Sequence, residues 1–142
     1  MKSVKSIGVR TGNWLSLRQA QALPFGSPDA HRGLIAADLD SDGRLDLVVT
    51  ALGSKAEIWK NRAGGEHHWI AFDVPPGAEV RVGAQVAWAS STAGYASSVL
   101  APLHFGLGNA QIAPPVEITW PDRRKTHMTG LSVDQVVHPL RP

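Results

Sequence analysis

The chain has 142 residues, 43% of them hydrophobic, with 14 Lys and Arg against 12 Asp and Glu and no cysteine. That size supports one domain with a real core, and the missing cysteines exclude disulfides and thiolate metal sites. The formal net charge of +2 gives no reason to expect a nucleic-acid partner, and no apolar run approaches the ~20 residues of a membrane-spanning helix.

The N-terminal residues carry lysines with no hydrophobic region behind them, so no signal peptide is recognisable. Trp14 to Ala22 reads as a short helix ended by Pro24, or equally as an extended leader. Beyond it the punctuation changes. Ten prolines and fourteen glycines suit short strands and turns better than long helices. Alternation places candidate strands at 33–38, 45–50, 56–61, 68–74, 78–82, 84–90, 95–100, 103–106, 115–120, 124–128 and 134–140. Strands of this length and spacing predict an all-β chain, an antiparallel sandwich or barrel-like domain.

Between the first two candidate strands lies the most acidic stretch, Asp38-Leu39-Asp40-Ser41-Asp42-Gly43-Arg44-Leu45-Asp46, which holds four of the eight aspartates. Carboxylates about 5 Å apart repel by roughly 1–3 kcal/mol unless something screens them. Calcium takes six to eight oxygens at about 2.3–2.6 Å in a flexible shell. On this reading Asp38, Asp40 and Asp42 supply side-chain oxygens and Arg44 supplies its backbone carbonyl. Gly43 permits the reversal, and Asp46 closes the ring directly or through water. An EF-hand is excluded, because its twelfth loop position falls on Val49 and the following residues read as a strand. An Asp-rich hairpin turn without metal is the alternative.

Adjacent His67 and His68 open the strand ending near 74. Neighbouring strand residues face opposite ways, so a structural role outranks a shared metal. Trp59, Trp69, Trp88 and Trp120 all fall in candidate strands, which predicts core or inter-sheet positions, with sugar stacking as the reading for any left exposed. Alternation turns Leu103 and Phe105 inward and His104 outward, toward a cross-strand hydrogen bond. Gly106 and Gly108 lack the strand–loop–helix setting of a phosphate cradle, since Pro114 and Pro115 follow. Arg123, Arg124 and Lys125 read as a solvated hairpin tip, or as a contact for an anionic glycan or phosphate. No nucleophile elbow is present, and no Ser, Thr or His spacing implies a catalytic set. A pair of carboxylates brought together in space is the remaining route to a hydrolase.

Two resemblances emerge from these residues. His31 through Thr50, followed by Ala56-Glu57-Ile58-Trp59-Lys60-Asn61, resembles a single FG-GAP (VCBS-type) repeat, the calcium-binding blade unit of integrin-like β-propellers. His68-Trp69-Ile70, Val82-Gly83-Ala84-Gln85-Val86, Leu103-His104-Phe105-Gly106-Leu107-Gly108 and Val116-Glu117-Ile118-Thr119-Trp120-Pro121 resemble the ASPIC/UnbV domain of the cartilage acidic protein-like family. A second Asp-x-Asp-x-Asp-Gly string is absent, so this sequence builds no propeller of its own. The turn Asp122-Arg123-Arg124-Lys125 stands where a glycine-containing turn is usual.

The resulting expectation is a leader at 1–30, one FG-GAP-like repeat with its Asp-rich loop at 31–62, and an ASPIC/UnbV-like β domain at 63–142. Residues 31–142 are expected to fuse into one domain. The resemblance implies a calcium-binding, non-catalytic recognition or adhesion-type module for a protein or glycan ligand, in an extracellular or periplasmic setting. Edge strands make a homodimer or higher oligomer a second reading. A role as enzyme or accessory in a biosynthetic pathway is a third, because ASPIC/UnbV proteins include one associated with enediyne gene clusters.

Overall fold

A computed structural model describes residues 2–4, 30–62, 65, 67–92 and 97–142. The Trp14–Ala22 segment lies outside them. Eleven strands follow in chain order: β1 (Lys2–Val4), β2 (His31–Ala37), β3 (Asp46–Ala51), β4 (Glu57–Asn61), β5 (His68–Phe72), β6 (Glu79–Val82), β7 (Gln85–Trp88), β8 (Leu103–Gly108), β9 (Val116–Thr119), β10 (Lys125–Met128) and β11 (Gln135–Val137). The described residues contain no helix, and the chain is all-β.

The chain divides into two compact units, residues 1–64 with 92–99, and residues 65–91 with 100–142. Strands β1 to β4 fall in the first unit and β5 to β11 in the second.

The first unit is a four-stranded sheet in the order β1-β4-β3-β2. Strands β2, β3 and β4 run antiparallel, while β1 adds in parallel to β4, with Lys2 opposite Trp59. Its buried apolar cluster is Leu47, Val49 and Trp59, on one face of β3 and β4. The segment around Ser97 closes over this unit at Gly33, where a Cβ would overlap the Ser97 and Thr50 hydroxyls. A larger residue there would have to push these two hydroxyls aside.

This contact also explains a misplaced strand. Residues 97–100 form no strand, and Thr92 pairs with Ser98 in an isolated bridge only. Ser97 sits against another strand's backbone instead of extending a ladder, and Leu100 points outward at 82% exposure. Residues 95 and 96 of the expected 95–100 strand lie outside the described residues.

The second unit has two sheets, β10-β9-β6-β7 and β11-β5-β8. In the first, every pair is antiparallel and alternation is strict. Val80, Val82, Val116 and Ile118 are buried, while Glu79, Arg81, Glu117 and Thr119 between them are not. The second sheet contributes Ile70, Phe72 and Phe105, and the two sets meet with Ala113 and Trp120 in one core. Phe72 and Phe105 pack edge to face with centroids 6.0 Å apart, a geometry that places the positive ring edge against the negative face. This is a small β-sandwich. Its strands are shorter than alternation suggested at 68–74 and 134–140, because Pro75, Pro76 and Pro139 withdraw ladder donors.

Candidate functional site

The Asp-rich loop joins β2 to β3. Its backbone is reversed by two residues in the left-handed region, Ser41 at φ 59° and Gly43 at φ 81°, the second where glycine carries no steric penalty. Asp38 organises the turn from inside. Its Oδ1 accepts the Asp42 N–H at 3.1 Å and its Oδ2 accepts the Gly43 N–H at 2.8 Å. Asp42 does the same one step later, its Oδ1 accepting the Arg44 N–H at 2.9 Å. Oxygens of Asp38, Asp40 and Asp42 thereby come within 4.8 Å of one another.

Two cations already face this group. The Arg44 guanidinium donates to Asp42 Oδ2 at 2.5 Å, and the Lys60 ammonium of β4 lies against Asp40 Oδ2. The three carboxylates therefore carry about one uncompensated negative charge. Sequence reasoning assigned Arg44 its carbonyl and overlooked its side chain, and it missed Lys60. No local signal marked Lys60, because it is the β3–β4 pairing of Leu47 with Trp59 that carries it to the loop end of the sheet.

Asp46 stands apart from the cluster. It is 2% exposed and sits inside β3, opposite Ala37. Its Oδ1 accepts the Asn61 backbone N–H at 2.7 Å. Asp46 thus pins the end of β4 to the start of β3, and Asn61 is buried beside it.

The donor chemistry of Asp38, Asp40 and Asp42 suits a hard divalent cation, because all the available groups are carboxylate oxygens with free lone pairs. The same residues set a limit. An arriving ion must displace the Lys60 ammonium and draw Asp42 away from Arg44.

The other residues singled out in the sequence fall into place. His68 is held on both ring nitrogens, Nδ1 at 2.6 Å from Asp134 Oδ2 and Nε2 at 3.2 Å from Gln111. Asp134 also accepts the Trp69 N–H at 3.2 Å, so His68 belongs to a strand-end clasp. His104 is half-buried and stacks on Trp69, with centroids 5.3 Å apart and planes 10° from parallel. Trp59 and Trp120 are buried, and Trp69 is half-buried. Trp88 breaks the expectation of a core position, at 63% exposure. It ends the edge strand β7 on the outward-facing side, where alternation within four residues could not separate inside from outside.

The basic turn is largely committed. Arg124 meets Asp122 at 3.1 Å and the Pro142 carbonyl, and Lys125 meets Glu117 at 2.9 Å.

No helix among the described residues is long and apolar enough to cross a membrane. Residues 75–139 match the ASPIC and UnbV family. That ASPIC/UnbV stretch takes in β6 through β11 of the sandwich. Over 106 residues the chain is 31% identical to cartilage acidic protein 1 of Mus musculus and of Homo sapiens, and 30% identical to that of Xenopus tropicalis. Each alignment covers 63% of this chain, which spans only 16% of the length of these relatives.

Proposed function

We propose that the chain is a non-catalytic recognition module whose blade unit binds calcium through Asp38, Asp40 and Asp42, with Arg44 and Asp46 flanking the site. The observation that carries this reading is the convergence of three carboxylates on one reversed hairpin, their oxygens within 4.8 Å. Asp38 shows how the loop is prepared, since two backbone N–H groups fix its carboxylate while leaving lone pairs for an ion. The FG-GAP-type repeat at 31–61 is part of the same proposal, as is an extracellular setting, which likeness to cartilage acidic protein 1 supports.

Calcium's role is structural. Bound between β2 and β3, the ion replaces the internal cations as screen for the acids and ties the loop to the sheet. With Lys60 and Arg44 competing, the affinity falls in the weak class of extracellular modules, with Kd on the order of 10⁻⁴–10⁻³ M.

Thermal melting with calcium and with chelator tests this. Calcium at about 100 times its Kd adds roughly 2.7 kcal/mol to the unit that binds it. Asp40→Asn is the cleanest loss-of-binding variant, because Asp40 meets Lys60 while Asp38 also holds the turn. It should abolish the calcium shift and change the chelated melting temperature only slightly, since the Asp40–Lys60 pair that it removes is partly exposed. Lys60→Gln should tighten calcium about two- to fivefold, as expected for removing a partly exposed ion pair. No calcium shift in the unaltered chain, or an equal shift in Asp40→Asn, removes the metal site from the proposal.

A further inference from the structure

The outer face of the sheet β10-β9-β6-β7 has no part in the core or in the Asp-rich loop. Register sets its side chains in two rows that cross all four strands. One row reads Lys125, Thr119, Glu79, Trp88, and the next reads His127, Glu117, Arg81, Val86. Trp88 stands open at one edge. The polar groups beside it form an internally balanced set. Arg81 reaches Glu79 at 3.3 Å, and Glu117 receives Lys125 at 2.9 Å and His127 at 3.6 Å. Two acids thus oppose two permanent cations, and the face carries no net charge with His127 neutral.

We propose that this face binds a short neutral oligosaccharide, with Trp88 as the stacking platform. The argument goes beyond the calcium reading and does not rest on it. Three features select the occupant. First, the size is wrong for a protein. Four strands at about 4.8 Å and four residues at about 3.3 Å give a patch of roughly 250 Å², against about 800 Å² per partner in a stable protein interface. Second, the charge is wrong for an anionic or cationic ligand, because every carboxylate of the face is already matched by a base. Third, the mixture of groups fits a sugar. A pyranose ring presents C–H bonds on one face and hydroxyls around its rim. The negative face of the indole takes the C–H bonds. The guanidinium of Arg81, 48% exposed, and the ammonium of Lys125, 52% exposed, offer charge-assisted donors. The Glu79 and Glu117 carboxylates accept from hydroxyls, and Thr119 does both. The rows run straight across the sheet, so successive sugar rings meet successive strands.

The test is titration of the whole chain with cellohexaose, chitohexaose and mannohexaose, followed by the indole Nε1–H resonance of Trp88. A chondroitin sulfate hexasaccharide serves as the anionic comparison. At least one neutral hexasaccharide should shift the Trp88 resonance in a saturable way, with little dependence on salt. Trp88→Ala should weaken that binding at least tenfold with the melting temperature unchanged, Trp88→Phe should restore most of it, and Arg81→Gln should weaken it severalfold. The affinity should be the same in chelator, so failure of the calcium site leaves this result standing. Four outcomes would overturn the proposal: no response of Trp88 to any neutral hexasaccharide, binding that survives Trp88→Ala, a response to chondroitin sulfate alone that disappears at high salt, or binding lost on chelation.

Discussion

The two units solve the same problem, stabilising short strands, by different means. The sandwich does it with apolar volume. Nine buried residues form its core, seven from the two sheets together with Ala113 and Trp120, and its charged pairs sit outside, on the surface. Among the described residues, the blade buries a cluster of only three, Leu47, Val49 and Trp59. It relies on carboxylates instead: Asp46 buried against the Asn61 N–H, and Asp38 threaded into its own loop. An apolar core is indifferent to solution ions, whereas a carboxylate scaffold is not. The blade is the unit whose stability should follow metal, and the sandwich should ignore it.

The largest expected effect tests the sandwich side of this contrast. Phe105 is fully buried and meets Phe72 edge to face. Phe105→Ala should cost about 3–5 kcal/mol, the usual range for a large aromatic deleted from a core. Hydrogen exchange resolved by residue should show the loss in β5, β6, β8 and β9 and not in β2 or β3. A uniform loss across both units would erase the distinction.

The matching experiment in the blade is Asp46→Ala. It removes the carboxylate oxygen that accepts the buried Asn61 N–H at 2.7 Å, and losing a buried hydrogen bond of this kind costs about 1–3 kcal/mol. Asp46→Asn keeps an oxygen in the same place and should lose much less. If the two variants prove equally unstable in urea denaturation, the carboxylate's charge and not its hydrogen bond holds β4.

Much of this organisation was legible in the sequence, for definite reasons. β6 and β9 were readable because Val80, Val82, Val116 and Ile118 alternate with polar residues in a sheet buried on one side. The Asp-rich loop was readable because acids and a glycine at fixed spacing need a reversed backbone, which Gly43 supplies. What escaped depends on long-range pairing. Lys60 reaches Asp40 only through the β3–β4 register. Asp46 looked like a fifth loop ligand because its place in sequence says nothing of its bond to Asn61, fifteen residues later. Trp88 occupies an edge strand too short for its pattern to show which face turns outward. Ser97 gave no sign that it would pack on Gly33.

The β9–β10 turn offers a smaller test, again on the sandwich. The Arg123 N–H donates to the Trp120 carbonyl at 2.8 Å, and Arg123 itself sits at φ 70°. This is the tight turn plus left-handed residue that favours glycine, which explains why its absence there looked anomalous in the sequence. A non-glycine residue in that region costs about 1–2 kcal/mol, and glycine's greater freedom when unfolded returns about 0.5–1. Arg123→Gly should therefore raise stability by up to about 1.5 kcal/mol by urea denaturation, the difference of those ranges. A loss would mean that the Arg123 side chain contributes more than its backbone strains.

The smallest effect concerns pH and shows how marginal surface charge is to the sandwich. The hydrogen bond from Lys125 holds the Glu117 carboxyl below its usual range, against an opposing effect of desolvation and with smaller help from the charges of Lys125, His127 and Arg81. Asp122 is lowered chiefly by the Arg141 guanidinium at 2.6 Å, with the Arg124 backbone N–H assisting. A carboxyl depressed in the folded state favours folding above its unfolded pKa, and that contribution disappears as pH falls through the folded value. The sandwich should thus lose a little stability on acidification below about pH 4, where ordinary carboxylates begin to protonate. Lys125→Gln and Arg141→Gln should flatten the profile together, since each removes the main cause of one depression. Both carboxyls are partly exposed, and solvent screens them, so the slope should be shallow and the melting temperature at neutral pH nearly unchanged. A steep acid transition that both variants leave intact would show that these surface pairs do not set the acid limit of the chain.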